Sequence, residues 1–116
     1  MKKIIITLVA LLIPIVINAS IDLEIDNLHY YLNTTKKTAS VEKSSNTTGN
    51  VTIRATITYE DETYSVTLIR DYAFYNCRSL VSINIPNGVT SIGEKAFMDC
   101  VQLQTVSISQ NSNLKR

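Results

Sequence analysis

Ile21, Leu23 and Ile25 alternate with Asp22, Glu24 and Asp26, the period-two pattern of a strand with one wet face. Leu28 to Leu32 follows across Asp26-Asn27, a turn pair. After the polar connection Asn33-Thr34-Thr35-Lys36-Lys37, Thr38 to Glu42 is expected to pair back on Tyr30 and Tyr31 as a hairpin. Ser44 to Asn50 reads as a loop of small polar residues. Beyond it, Val51 to Ile53 and Ala55 to Tyr59 are β-branched and alternating. Glu60-Asp61-Glu62 then turns the chain into another alternating strand, Thr63 to Ile69.

From Val66 the pattern is written twice at a spacing of 23 residues: Val66/Val89, Thr67/Thr90, Ile69/Ile92, Ala73/Ala96, Phe74/Phe97, Cys77/Cys100, Leu80/Leu103 and Ile85/Ile108 are identical. The shared positions are nearly all apolar or small and the positions between them vary, as in an interior that stacks on its own copy. Such a period indicates a solenoid, in which neither unit buries its apolar face alone. Ala73, Cys77 and Leu80, like Ala96, Cys100 and Leu103, fall at helical spacing. Asp71 and Glu94 stand where a helix dipole favours a carboxylate. Leu80 to Ile85 reads as a strand ended by Pro86, with Ser82 and Asn84 pointing outward, as do Thr105 and Ser107 one unit later. The predicted class is therefore an α+β repeat protein. A β-hairpin or β-rich cap precedes a short right-handed solenoid whose turns each hold a helical arc, a strand and a polar connector.

The first nineteen residues change the picture of where the chain goes. Lys2 and Lys3 precede an apolar run, Ile4 to Ile17, and Asn18-Ala19-Ser20 supplies small residues for cleavage after Ala19. Fourteen helical residues reach about 21 Å, short of the roughly 30 Å of a bilayer core, which favours a secretory signal over an anchor. The expected organisation is a signal peptide over 1–19, a β-rich capping module over 20–65 and repeats over 66–116, divided as 66–88, 89–111 and the start of a third at 112–116. Without the leader the chain carries nine basic and ten acidic residues. That balance, with no basic run longer than a pair such as Lys36-Lys37, points away from nucleic acid and from membrane contact after cleavage.

Ala-Phe-x-x-Cys-x-x-Leu-x-x-Ile/Val-x-Ile-Pro-x-x-Val-Thr-x-Ile-Gly runs here from Ala73-Phe74 to Ile92-Gly93 and restarts at Ala96-Phe97. It resembles the repeat of the BspA-like class of leucine-rich repeat proteins. Tyr30 to Asn33 with Ala39 to Val41, and Val51 to Ile53 with Tyr64 to Val66, are similar to the β-rich leader that precedes such repeats. The resemblance thus covers most of the chain past residue 19. Three positions depart from it: Arg54 stands where that leader usually has proline, Arg70 replaces the glycine found at Gly93, and Ser109 replaces the second proline. The resemblance implies an exported or surface-displayed protein, adhesion to host proteins, matrix or other cells being among the roles of its members. It carries over no contact residue.

Candidate chemistry is sparse. Cys77 and Cys100 are the only cysteines, and matched repeat positions on adjacent coils leave a disulfide open in an exported chain. Their place in the apolar pattern favours packing as small hydrophobes. Two cysteines and the distant His29, the single histidine, lack metal-ligand spacing. Glu60-Asp61-Glu62 reads as a solvated turn, without the spaced oxygens of a calcium loop. No phosphate-binding glycine loop occurs, and no cofactor, metal or enzyme site is expected. Asn33-Thr34-Thr35, Asn46-Thr47-Thr48 and Asn50-Val51-Thr52 match the N-glycosylation triplet, which matters only in a host that glycosylates exported asparagine.

The tail, Ser107 to Arg116, reads as the entry to a third unit, with Leu114 in the role of Val89. The expectation is a truncated array, of marginal stability or self-associating through the uncapped last repeat. The leading functional expectation is a secreted or surface-displayed, non-catalytic module. It would bind a host or matrix protein, or another cell, through Ser82, Asn84, Thr105 and Ser107. The alternative is a structural fragment of a longer array with no ligand of its own.

Overall fold

The computed structural model describes residues 3–7 and 20–109. Among them every element is a strand: β1 (Lys3–Thr7), β2 (Ser20–Ile25), β3 (Leu28–Asn33), β4 (Thr38–Val41), β5 (Gly49–Thr52), β6 (Thr56–Tyr59), β7 (Glu62–Ile69), β8 (Leu80–Ile85), β9 (Ser91–Ile92) and β10 (Thr105–Ile108). Two sheets hold them. One runs β1-β2-β3-β4-β7-β6 with β9 on β7, and the other, β10-β8-β5, is wholly parallel.

The antiparallel part follows from turn chemistry. Ile25 pairs with Leu28 across Asp26-Asn27, and Tyr59 with Glu62 across Glu60-Asp61. All four turn residues have positive φ, between 48° and 66°. Two left-handed residues in succession form the two-residue turn whose twist suits a hairpin. Alternation does the rest: Ile21, Leu23, Leu28, Tyr30, Leu32, Ala39 and Val41 are buried. Thr38–Val41 pairs antiparallel with Tyr30–Asn33, in the hairpin that the pattern predicts.

From β4 onward the chain climbs in coils. β4, β7 and β9 pair in parallel along one wall, and β5, β8 and β10 along the other. Arcs join the walls. The N–H groups of Arg70 and Gly93 donate to the carbonyls of Val41 and Ile69, so the same bond recurs at each level. Stacking therefore begins at Thr38, although the written repeat begins at Val66. The core between the walls is Val66, Ile69, Ala73, Phe74, Cys77, Leu80, Ile83, Ile85 and Val89, none more than 2% exposed.

The α+β expectation is overturned, because the described residues hold no helix. The spacing of Ala73, Cys77 and Leu80 comes instead from successive tight turns: Ala73 N–H bonds Arg70 O, Tyr75 bonds Tyr72, Cys77 bonds Phe74 and Leu80 bonds Cys77. Tyr72 and Asn76 sit at φ 60°, and Lys95 and Asp99 match them one repeat on at 56° and 63°. A left-handed residue every four positions cannot occur within an α-helix. Between these turns, N–H groups of Tyr72, Phe74 and Asn76 donate to Glu94, Ala96 and Met98 of the next coil. Backbone groups that a helix would pair with itself are thus paired between coils. Asp71 serves the same stack: its Oδ1 accepts the N–H of Glu94 at 2.7 Å rather than facing a helix dipole.

The departures from the family pattern acquire reasons here. Arg54 N–H donates to the buried Tyr30 Oη at 3.2 Å, which a proline could not do, and its Nη2 lies 3.2 Å from Asp26 Oδ2. Ser109 N–H donates to Ile85 O at 3.0 Å, again a bond closed to proline. Arg70 sends its Nε to Glu42 Oε2 at 3.0 Å, between adjacent coils.

Of the expected leader, Lys3–Thr7 form an edge strand antiparallel to β2. Ala19 lies outside the described residues, as do residues 110–116 with Leu114, while Ser20 opens β2.

Candidate functional site

The parallel sheet carries a regular surface. Thr105 stands opposite Ser82 and Ser107 opposite Asn84 in register. All four predicted residues therefore come together on one face, Ser82 half-buried and the others exposed. The structure adds a third strand to them, since Asn50 pairs with Ser82 and Thr52 with Asn84. Two rows result, Asn50-Ser82-Thr105 and Thr52-Asn84-Ser107. Between them the row Val51-Ile83-Val106 belongs to the opposite face, as period-two geometry requires.

Each row carries only short hydroxyl and amide side chains, a surface of hydrogen-bond donors and acceptors without charge. Ser82 Oγ donates to Asn50 Oδ1 at 2.7 Å, linking neighbouring strands. Sequence reading missed Asn50 and Thr52. Asn50-Val51-Thr52-Ile53 has the same alternation as Ser82-Ile83-Asn84-Ile85, but it lies outside the 23-residue period, with an arc shorter by several residues before it.

The cysteines sit elsewhere, inside the arcs, as free thiols. Cys77 Sγ donates to Ser44 O at 3.3 Å and Cys100 Sγ to Phe74 O at 2.9 Å. Each thiol therefore bonds a carbonyl of the preceding coil. Burial pushes both thiols above the usual range, which keeps them protonated and poorly nucleophilic near neutral pH. His29 is on β3 beside Glu24, Nε2 to Oε2 2.8 Å, and its backbone N–H donates to Ser44 Oγ at 3.0 Å. Among the described residues no three His, Cys, Asp or Glu side chains gather as a metal site would require.

The end of the stack and the outer arc expose apolar side chains: Tyr72 39%, Met98 45%, Val101 64%, Val106 45% and Ile108 42%. Phe97 is half-buried, its ring stacked on Phe74 at 5.4 Å between centroids and 5° between planes.

The profile of the BspA type leucine rich repeat region (6 copies) matches residues 54–115, more than half of the chain. The chain belongs to the BspA-type leucine-rich repeat family. Solved structures agree with that membership. A leucine rich cell surface protein from Faecalibacterium prausnitzii A2-165 superposes with a TM-score of 0.68 at 34% identity, over 78% of this chain and 24% of its own. A leucine-rich repeat protein from Bacteroides ovatus ATCC 8483 gives 0.67 at 32% identity, over 76% of this chain and 24% of its own. One from Bacteroides capillosus ATCC 29799 gives 0.69 at 25% identity, over 78% and 67%. This leucine-rich repeat chain thus spans about a quarter of the length of the first two. Comparison with curated proteins gives no match.

Proposed function

We propose that the chain is an exported, non-catalytic binding module of the leucine-rich repeat type, and that the polar face of β5, β8 and β10 contacts a protein partner on a host, a matrix or another cell. The observation that carries this reading is the pair of uncharged rows, Asn50-Ser82-Thr105 and Thr52-Asn84-Ser107, held in register by parallel strands. A rigid sheet that presents hydroxyls and amides at fixed spacing suits hydrogen bonding to peptide groups. The basic and apolar start of the chain supports export, and so does the description of the Faecalibacterium relative as a cell surface protein.

A standard interface covers about 800 Å² per partner. Three short strands offer a small part of that, so the module would act with neighbouring loops or in several copies. The second reading, a structural segment without a ligand of its own, is favoured by the exposed Val101, Val106 and Ile108 at the end of the stack.

A pull-down from matrix and host-surface proteins separates the two. Replacing Ser82, Asn84, Thr105 and Ser107 with glutamate is expected to reduce capture of the enriched partner about tenfold or more, the loss that about 1.4 kcal/mol produces. Equal capture by wild type and variant would move the contact off this face. No enriched partner for either would favour the structural reading.

A further inference from the structure

β2 is an interior strand only while β1 is present. β3 pairs on one side of it and β1 on the other, through Lys3↔Glu24, Ile4↔Leu23, Ile5↔Asp22, Ile6↔Ile21 and Thr7↔Ser20. The register runs without a bulge over five residues, so this edge is straight enough to take an added strand along its length. Cleavage after Ala19 would remove β1 and free the outward N–H and C=O groups of β2.

We infer that in the processed chain this vacated edge accepts an extended segment of a partner protein, with a basic residue across from its carboxylates. The inference rests on the export reading above. Ile21 and Leu23 of β2 belong to the apolar core, at 6% and 3% exposure with β1 in place, so a strand that replaces β1 meets the same apolar face. The other face of β2 carries Ser20, Asp22 and Glu24, all half-buried. Residues directly opposite in an antiparallel pair share a face, so alternate residues of an incoming strand stand across from Asp22 and Glu24. In the unprocessed chain a lysine, Lys3, already occupies the position opposite Glu24.

Charge also decides against a second copy as the occupant. Antiparallel pairing of β2 with itself, faces preserved, sets Asp22 opposite Asp22 or Asp22 opposite Glu24, and like charges directly opposite repel. His29 meets one of these carboxylates, with Nε2 2.8 Å from Glu24 Oε2. Asp22 has no ion-pair partner among the described residues. The edge thus rejects its own kind and acidic strands, and selects basic ones. Main-chain pairing supplies the attraction and the two carboxylates supply the choice, as in other cases of strand addition.

Amide hydrogen exchange on the exported chain tests this, after N-terminal sequencing shows that it starts at Ser20. The probes are capped peptides bearing KIIIT, the β1 sequence, and its acidic counterpart EIIIT. At a concentration about ten times its Kd, KIIIT is expected to slow exchange at alternate β2 amides about tenfold. β8 should be unaffected, EIIIT should give no such protection, and D22K/E24K should abolish the effect while keeping β8 protected. Equal protection by both peptides, or none by either, overturns the inference. A chain that keeps residues 1–19, or is not exported, overturns the cleavage and export reading along with it, whereas a processed chain with an unresponsive edge overturns the strand-acceptor inference alone.

Discussion

Phe74→Ala is expected to destabilise the chain by about 3–5 kcal/mol, the range for emptying a fully buried phenylalanine site. Phe74 has no exposed surface and its ring stacks on Phe97. Coils lie on both sides of it: the carbonyl of its neighbour Ala73 accepts the N–H of Ser44 from the coil before, and its own N–H donates to Ala96 of the coil after. The site cannot collapse from either direction, so a cavity persists. Phe97 occupies the same repeat position and is half-buried, with a coil on one side only among the described residues. Phe97→Ala should cost about half as much or less, since its surroundings can relax and part of the ring is already wet. Urea unfolding at constant m measures the difference directly as a shift in midpoint. Equal costs would mean that the third coil is as enclosed as the second.

Gly93→Ala should be the most damaging single-methyl change in the chain, costing about 3 kcal/mol, the upper end for overpacking. A Cβ at Gly93 would lie well inside van der Waals contact with the backbone N of Asp71 and the backbone C of Arg70. Those are main-chain atoms of the coil below and cannot swing aside. They are also held in place, since Gly93 N–H bonds Ile69 O at 2.7 Å and Glu94 N–H bonds Asp71 Oδ1 at 2.7 Å. Gly49→Ala is the control. At φ 70° it pays a left-handed strain, but nothing lies within 4 Å of its Cβ position, so about 1 kcal/mol is expected. Thermal or urea melts of the two variants should differ clearly. A Gly93→Ala chain as stable as Gly49→Ala would show that the coils are spaced more widely at this point.

The strands and the stack were legible because apolar identity at 23-residue spacing is a direct record of coil-on-coil contact. Leu80 to Ile85 is legible to the residue, since alternation begins it and Pro86 ends it. The arcs imitate a helix in sequence for a physical reason. Ala73, Cys77 and Leu80 point inward from successive turns at the same spacing that places residues on one helix face. What separates the two is the sign of φ at Tyr72 and Asn76, and tyrosine carries no signal for a left-handed conformation. Asn76 and Asp99, residue types that tolerate it, were the available hint. The first coil is not legible in the repeat because its arc is shorter, which breaks the period and hides Asn50 and Thr52 from the candidate face. Ser82, Asn84, Thr105 and Ser107 were found because a strand with one buried face must turn its alternate residues outward.

Both the stability contrasts and the polar rows depend on coils that bond to one another rather than to themselves. Scalar couplings transmitted through hydrogen bonds, read by NMR on the labelled chain, report that pairing atom by atom. The predicted correlations run from the Phe74 amide to the Ala96 carbonyl and from the Asn76 amide to the Met98 carbonyl. Correlations from Phe74 to Arg70 and from Asn76 to Tyr72 would instead make the arc a helix, and would contradict the stack on which the proposed surface is built.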